Sequence, residues 1–308
     1  MSETRKIGSL EVSLVGLGCN NFGGRLDADA TAKVVYAALD AGINFFDTAD
    51  IYGGTKSEEF IGNALGARRD EVVLATKFGI PLNDEMQGGA KPEYIRRAAE
   101  DSLRRLRTDR IDLYQLHRPD PDVPIEETLG ALNELVLAGK VREIGCSNFS
   151  AEQIRAAEAA VQTGAARFVS VQNHYSLFHR EPEESVLPEC DKADIAFLPF
   201  FPLANGLLTG KYRKGKPFPE GTRIQPEGRF ANLLTEENFD KVEALLAYAE
   251  AHGHTLLELA FSWLAAQPTV ASVIAGATSP QQIQSNVGAA GWKLTSEEIA
   301  QINGIVSP

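Results

Sequence analysis

Three short runs decide the fold: GINFFDTADIY (Gly42–Tyr52), EVVLATK (Glu71–Lys77) and LYQLH (Leu113–His117). Each is rich in apolar and β-branched residues and reaches a titratable group at or just past its end, as a strand does when it delivers a side chain to a site. Similar runs recur along the chain, ending near Gly18, Phe46, Thr76, Leu116, Cys146, Gln172, Pro199 and Ile274. Each is followed by at least one amphipathic stretch, the alternation expected of βα units around a parallel sheet. Eight such units close a barrel, so the expected fold is α/β, a (β/α)8 TIM barrel. A barrel of this kind commonly runs past about 250 residues as one domain, and residues 1–308 are read as a single barrel domain. Its chemistry gathers at the C-terminal ends of the strands, where Asp47, Tyr52, Lys77 and His117 fall.

Working outward, KPEYIRRAAEDSLRRLR (Lys91–Arg107) has Pro92 near its start and Ile95, Ala99, Leu103 and Leu106 on one face. It predicts a helix packed outside the third and fourth strands. KIGSLEVS (Lys6–Ser13) places a Gly-Ser turn between short alternating stretches and reads as a hairpin that plugs the bottom of the barrel. After the seventh strand the chain runs from Pro202 to Glu236 without a clear element, far longer than an ordinary loop and typical of a lid. Between Lys211 and Arg229 it carries Lys211, Arg213, Lys214, Lys216, Arg223 and Arg229 against Glu220 and Glu227. Such a run is either a solvated surface or a patch for a polyanionic ligand; its place on the active face favours the second.

Composition excludes several classes. A net charge of −12 argues against a nucleic-acid or anionic-membrane surface. No apolar run approaches the roughly 20 residues that span a bilayer, and the start lacks the apolar region of a signal peptide, so the expected location is the cytoplasm. Cys19, Cys146 and Cys190 are odd in number and widely spaced, which predicts free thiols rather than disulfides or a zinc site, and the five histidines are too scattered for a metal centre. Trp263 lies on a helical stripe and reads as core, and Trp292 as structural.

The four strand-end residues form a chemical set. A free tyrosine has a pKa of about 10, so Tyr52 is a poor acid unless a cation stabilises the phenolate left behind. Lys77 is such a cation, and Asp47 supplies the opposite charge that keeps a buried ammonium in place. His117 then hydrogen-bonds and orients a carbonyl oxygen while Tyr52 gives up the proton. Any one of the four alone is ordinary: a turn aspartate, a loop aromatic, a surface lysine, a satisfied histidine. Together, with DxxxxY, TK and LH in this order, they resemble the tetrad of the aldo-keto reductase superfamily, from VGLG at Val15 to NVGA at Asn286.

The resemblance implies reversible reduction of an aldehyde or ketone by direct hydride transfer from NADPH, with NADH use possible, Tyr52 as general acid and no metal. It implies that Ser147, Asn148 and Gln172 hold the nicotinamide carboxamide, a task that suits amides, although Asn148 also stands where a helix cap begins. Phe200 is placed where the family stacks an aromatic on the nicotinamide; a core phenylalanine is the other reading. PLANG and GKY (Pro202, Leu203, Gly206, Lys211), with Arg223, are similar to the branch that includes the potassium-channel beta subunits, in which this loop covers the cofactor diphosphate. Gly276, Thr278, Gln282 and Asn286 match the adenosine 2′-phosphate site, beside a helix start with Ser279 as cap and Pro280 at its first position. That stretch has no Lys or Arg between Val270 and Ala290, and Ser285 replaces a common acid, so the expected preference for NADPH is modest.

Two positions stay open. In VGLGCNNFGG, Asn20, Phe22 and Arg25 either face cofactor or substrate or belong to a plain turn, and His174 either reaches the pocket or lies at the surface. The branch resemblance also carries a second functional reading, a regulatory or redox-sensing subunit that binds cofactor with little turnover. A barrel hydrolase or isomerase using Asp47 and His117 would need no nicotinamide at all. The implied partner is a small carbonyl compound; the oligomeric state is open, a homo-oligomer included.

Overall fold

The computed structural model describes residues 3–219 and 222–307. Glu220, counted above in the charge of the long loop, lies outside them. The chain opens with an antiparallel hairpin, β1 (Thr4–Ile7) and β2 (Leu10–Ser13). Eight parallel strands follow: β3 (Val15–Gly18), β4 (Phe45–Asp47), β5 (Val73–Phe78), β6 (Ile111–Leu116), β7 (Val141–Ser147), β8 (Phe168–His174), β9 (Ala196–Phe200) and β10 (Val273–Gly276). They form one sheet in the order β10-β3-β4-β5-β6-β7-β8-β9. The two ends meet where Phe197 N–H donates to Thr269 O at 2.7 Å and accepts at its own carbonyl from Ala271 N–H at 3.0 Å, which leaves the barrel nearly closed. Every strand end expected from the sequence falls within two residues of the observed one.

Helices clothe the outside: α1 (Ala28–Asp40), α2 (Lys56–Leu65), α3 (Pro92–Leu106), α4 (Ile125–Leu137), α5 (Ala151–Ala160), α6 (Val186–Ala193), α7 (Glu236–Ala251), α8 (Leu256–Ala265), α9 (Pro280–Gly288) and α10 (Ser296–Val306). α3 starts at Pro92, buries Ile95, Ala99, Leu103 and Leu106, and lies against β5 between α2 and α4. Trp263 is fully buried in the outer core, with its indole N–H bonded to Asn303 Oδ1 at 3.0 Å. No helix among the described residues is long and apolar enough to cross a membrane.

Period-two alternation sorts the strands into an outer apolar face and an inner face that changes character with height. Phe46, Leu74, Tyr114 and Leu116 join the cluster beneath the helices. Phe45, Ala75, Leu113, Leu198 and Ile274 point inward and pack with Ile7, Leu10 and Val12, so the hairpin does plug the barrel floor. Two residues further along the same inner face come Asp47, Lys77, Gln115 and Phe200. The polar layer of the site is therefore stacked directly on an apolar plug. Gly145 permits this stacking: a Cβ there would come within 2.4 Å of Ser170 Oγ and 3.3 Å of the Gln115 side chain.

Candidate active site

A cavity of about 740 Å³ opens at the C-terminal ends of the strands. At its floor Lys77, with no exposed surface, donates to Asp47 Oδ2 at 2.7 Å and to the backbone oxygen of Thr48 at 2.8 Å. Its ammonium lies 5.2 Å from the centre of the Tyr52 ring. The His117 ring meets Tyr52 edge-on, with centroids 5.9 Å apart at 79°. Asp47, Tyr52 and His117 line the cavity, whereas Lys77 sits behind them. Two strand residues, Asp47 and Lys77, and two loop residues, Tyr52 and His117, are thus brought together.

The environment sets their protonation. Burial is the strongest single influence on Lys77 and acts downward, but Asp47 and Tyr52 outweigh it, so the ammonium is held above its ordinary value. Burial pushes the Tyr52 phenol upward and outweighs the opposing pull of Lys77. Tyr52 is therefore a protonated phenol at neutral pH, next to a cation that favours the phenolate. Burial, then Lys77 and Arg118, bring His117 down to about 2, which makes its imidazole neutral throughout the physiological range. Its Nδ1 is buried without a protein partner.

The second oxygen of Asp47 is held by two amides, Gln172 Nε2 at 2.9 Å and Gln115 Nε2 at 3.2 Å. Gln115 was not among the residues picked from sequence, although it stands two before His117 on the same inner face. Ser147 Oγ donates to the Gln172 backbone oxygen at 2.7 Å, and Asn148 Nδ2 donates to His117 O at 2.9 Å and to Ser147 Oγ at 3.0 Å. Asn148 adopts φ 61°, a left-handed conformation that asparagine tolerates, and the α5 cap is Ser150, in a reciprocal capping box with Gln153. These bonds lock the ends of β6, β7 and β8 to one another.

The candidate cofactor positions other than Phe22 line the same cavity, from Asn20 and Arg25 after β3, through Ser147, Asn148, Gln172, Phe200, Pro202, Leu203, Gly206, Lys211 and Arg223, to Gly276, Thr278, Gln282 and Asn286. The long loop is folded back over the mouth by left-handed residues at Phe201, Ala204 and Asn205. It is pinned by the buried Tyr212, whose hydroxyl accepts from Ile224 N–H at 3.0 Å, so Lys211 and Arg223 reach one wall together. Arg223 is sandwiched near Phe201 and Phe230, at 5.1 and 5.3 Å from their ring centres. The loop is not one cationic patch, however. Arg213 pairs with Glu243 and Lys214 with Glu236 and Asp240, all on α7, and neither lines the cavity. Only Lys211, Arg223 and Arg229 of that run do.

At the far wall α9 begins as expected: Ser279 Oγ accepts from Gln282 N–H at 3.3 Å and Pro280 occupies the first turn. Gln282 is itself engaged, its Oε1 accepting from Thr278 N–H at 2.8 Å. A side chain at Gly276 would crowd Asn21 Nδ2 at 3.1 Å and Asn20 Oδ1 at 3.4 Å, so a bare backbone faces the cavity there. Phe22 is fully buried in the outer core and does not face the cavity. His174 takes neither expected place: it stacks between His179, at 3.9 Å, and Phe200, at 5.5 Å, and supports the Phe200 ring from outside the cavity. Arg118, Phe201, Asn205 and Arg229 also line the cavity without having been singled out as site residues.

The model of the Aldo/keto reductase family matches residues 14–307. The chain is 38% identical to aldo-keto reductase YhdN of Bacillus subtilis, over 96% of this chain and 91% of that one. It is 36% identical to aldo-keto reductase yakc [NADP(+)] of Schizosaccharomyces pombe, over 97% and 90%. Among solved structures it is similar to the holo form of aldo-keto reductase AKR11C1 from Bacillus halodurans, with a TM-score of 0.82 at 34% identity, covering 99% of this chain and 96% of that one. It is also similar to the glycerol dehydrogenase AKR11B4 from Gluconobacter oxydans, with a TM-score of 0.85 at 32% identity, covering 98% and 94%. With the family model spanning nearly its whole length, the chain belongs to the aldo/keto reductase family and is an oxidoreductase.

Proposed function

We propose that this protein reduces a small aldehyde or ketone to the alcohol with NADPH, reversibly, using Tyr52 as the proton donor. The observation that carries the reading is the Lys77 ammonium, 2.7 Å from Asp47 and 5.2 Å from the Tyr52 ring centre, beneath a cavity that His117 also faces.

The residues present fit a nicotinamide dinucleotide. The bare backbone at Gly276, the α9 N-terminus, the Lys211 and Arg223 cations and the Phe200 ring succeed one another along a single cavity. Gly276, Thr278, Gln282 and Asn286 would hold the adenosine phosphate, Lys211 and Arg223 the diphosphate, and Ser147, Asn148 and Gln172 the carboxamide. When bound, NADPH supplies the hydride that the carbonyl carbon receives.

The chain's own residues do the rest. The neutral His117 ring offers an N–H to the carbonyl oxygen and fixes its direction. The Tyr52 hydroxyl transfers its proton to that oxygen, and the phenolate left behind is stabilised by the Lys77 charge. Asp47, gripped by Gln115 and Gln172 as well as by Lys77, keeps the ammonium from drifting towards solvent. Solvent then reprotonates Tyr52.

The test follows NADPH absorbance with a panel of aldehydes and ketones, for the wild type and Tyr52→Phe. Carbonyl-dependent oxidation of NADPH that is lost in Tyr52→Phe supports the reading. Tight NADPH binding with negligible turnover on every carbonyl overturns it in favour of a cofactor-binding regulatory subunit.

A further inference from the structure

The cavity is strongly cationic. Among the described residues its lining includes Arg25, Arg118, Lys211, Arg223 and Arg229, while the single carboxylate is Asp47, neutralised by Lys77. In a chain of net charge −12, so local a reversal of sign attracts anions, and the low-dielectric walls of a cleft focus the field. Lys211 and Arg223 fall to the diphosphate.

Arg118 does not. It follows His117 in the loop after β6, and in the ring of eight strands β6 stands opposite β10, where the adenosine end of the cavity lies. It adjoins His117, whose imidazole it influences, and His117 in turn meets the Tyr52 ring; Ile51 and Ile80 line the same cavity. Arg118 is exposed and takes part in no ion pair among the described residues. Asp120, the nearest acid in sequence, has one oxygen accepting from Asp122 N–H at 3.0 Å and the other from Ala90 N–H at 2.8 Å. A cation without a carboxylate, at the mouth of the reacting end, is available to substrate.

We propose that Arg118 selects carbonyl substrates that carry an anionic group, a carboxylate or a phosphate, which it binds while Tyr52 and His117 engage the carbonyl oxygen. Ile51 and Ile80 flank the carbon chain between the two. A planar guanidinium can grip either anion through two parallel hydrogen bonds, so the class is defined by charge and not by one headgroup. The proposal rests on the reading of this chain as an NADPH-dependent carbonyl reductase.

Two matched pairs test it: succinic semialdehyde against butanal, and glyceraldehyde 3-phosphate against glyceraldehyde. Each is assayed with saturating NADPH for the wild type, Arg118→Gln and Arg118→Lys, at low and high ionic strength. The wild type should favour at least one anionic member by about tenfold or more in kcat/KM, mainly through KM, and the ratio should shrink as salt screens the contact. Arg118→Gln should bring the ratio towards one, and Arg118→Lys should restore part of it. The two pairs separate carboxylate from phosphate recognition. Neutral aldehydes reduced as well as their anionic partners by the wild type, a ratio unchanged in Arg118→Gln, or a loss of NADPH affinity in that variant with the ratio kept, would each overturn the proposal alone. If NADPH binds but no member of either pair is turned over, the carbonyl-reductase reading fails, and this proposal with it.

Discussion

Lys77 and Asp47 form an ion pair of 2.7 Å that is sealed from solvent, with the lysine side chain 0% and the aspartate 5% exposed. Burying either charge alone would cost several kcal/mol, so each depends on the other, and both depend on Gln115 and Gln172 for the remaining acceptor. The pair consequently holds the Lys77 ammonium fixed beside the Tyr52 ring.

Lys77→Met leaves Asp47 buried without its cation and should destabilise the fold by about 3–5 kcal/mol, with part of the loss recovered in Lys77→Met/Asp47→Asn. It also removes the charge and the hydrogen bond by which Lys77 draws the Tyr52 phenol down, so the limb of alcohol oxidation that rises with pH as the phenolate forms should move to higher pH. Urea unfolding and a pH–rate profile measure the two effects separately. A limb that stays in place or moves down would leave Lys77 with a structural role only.

Tyr52→Phe should lower carbonyl reduction at least about a hundredfold, roughly 2.7 kcal/mol, as expected for losing a positioned general acid. Cofactor affinity should change little, because the proposed role of the hydroxyl is towards the carbonyl oxygen and not the cofactor. Turnover with saturating NADPH within a few-fold of the wild type would remove Tyr52 from the role of acid.

Asp50 predicts a pH dependence of stability. It is fully buried, and burial, then Glu58, push it up to about 8, against the opposing pull of Arg105, the Ile51 N–H and Lys77. The folded state therefore binds a proton that the unfolded state releases near pH 4, and the stability this contributes falls as pH rises from about 4 to 8. Asp50→Asn carries no titrating group, so its Tm relative to wild type should improve steadily across that window. A difference in Tm that is flat with pH would show that Asp50 is ionised in the fold.

Cofactor selectivity should be modest, because the wall at Gly276–Asn286 offers a helix N-terminus, hydroxyls and amides to a 2′-phosphate but no cation. Arg223→Ala should weaken NADPH and NADH alike through the shared diphosphate. Ser285→Arg should tighten NADPH selectively by adding a charge-assisted contact without disturbing Gln282, which braces Thr278. Fluorescence titration with both nucleotides decides between these; a wild-type preference of a thousandfold or more would mean that the phosphate pocket lies elsewhere.

The sequence by itself determined the barrel, because the fold rests on local regularities, and it placed Asp47, Lys77 and His117 at the ends of neighbouring strands. Alternation along a strand dictates that Phe45 and Asp47, or Ala75 and Lys77, share the inner face, and the ends of apolar runs dictate height within the barrel. The same rule would have found Gln115, two residues before His117. What only the tertiary structure decided is which of several equivalent charges meet. Arg213 and Lys214 look like Lys211 and Arg223 in the sequence, yet α7, arriving later in the chain, presents Glu243 to the first and Asp240 and Glu236 to the second, and neither cation lines the cavity. Arg118 lines the cavity outside any ion pair among the described residues, while Asp120 accepts from backbone N–H groups, one of them from Ala90 on another loop. Charge pairing acts through space between segments far apart in the chain, and no local pattern of residues encodes which partner the fold will bring within reach.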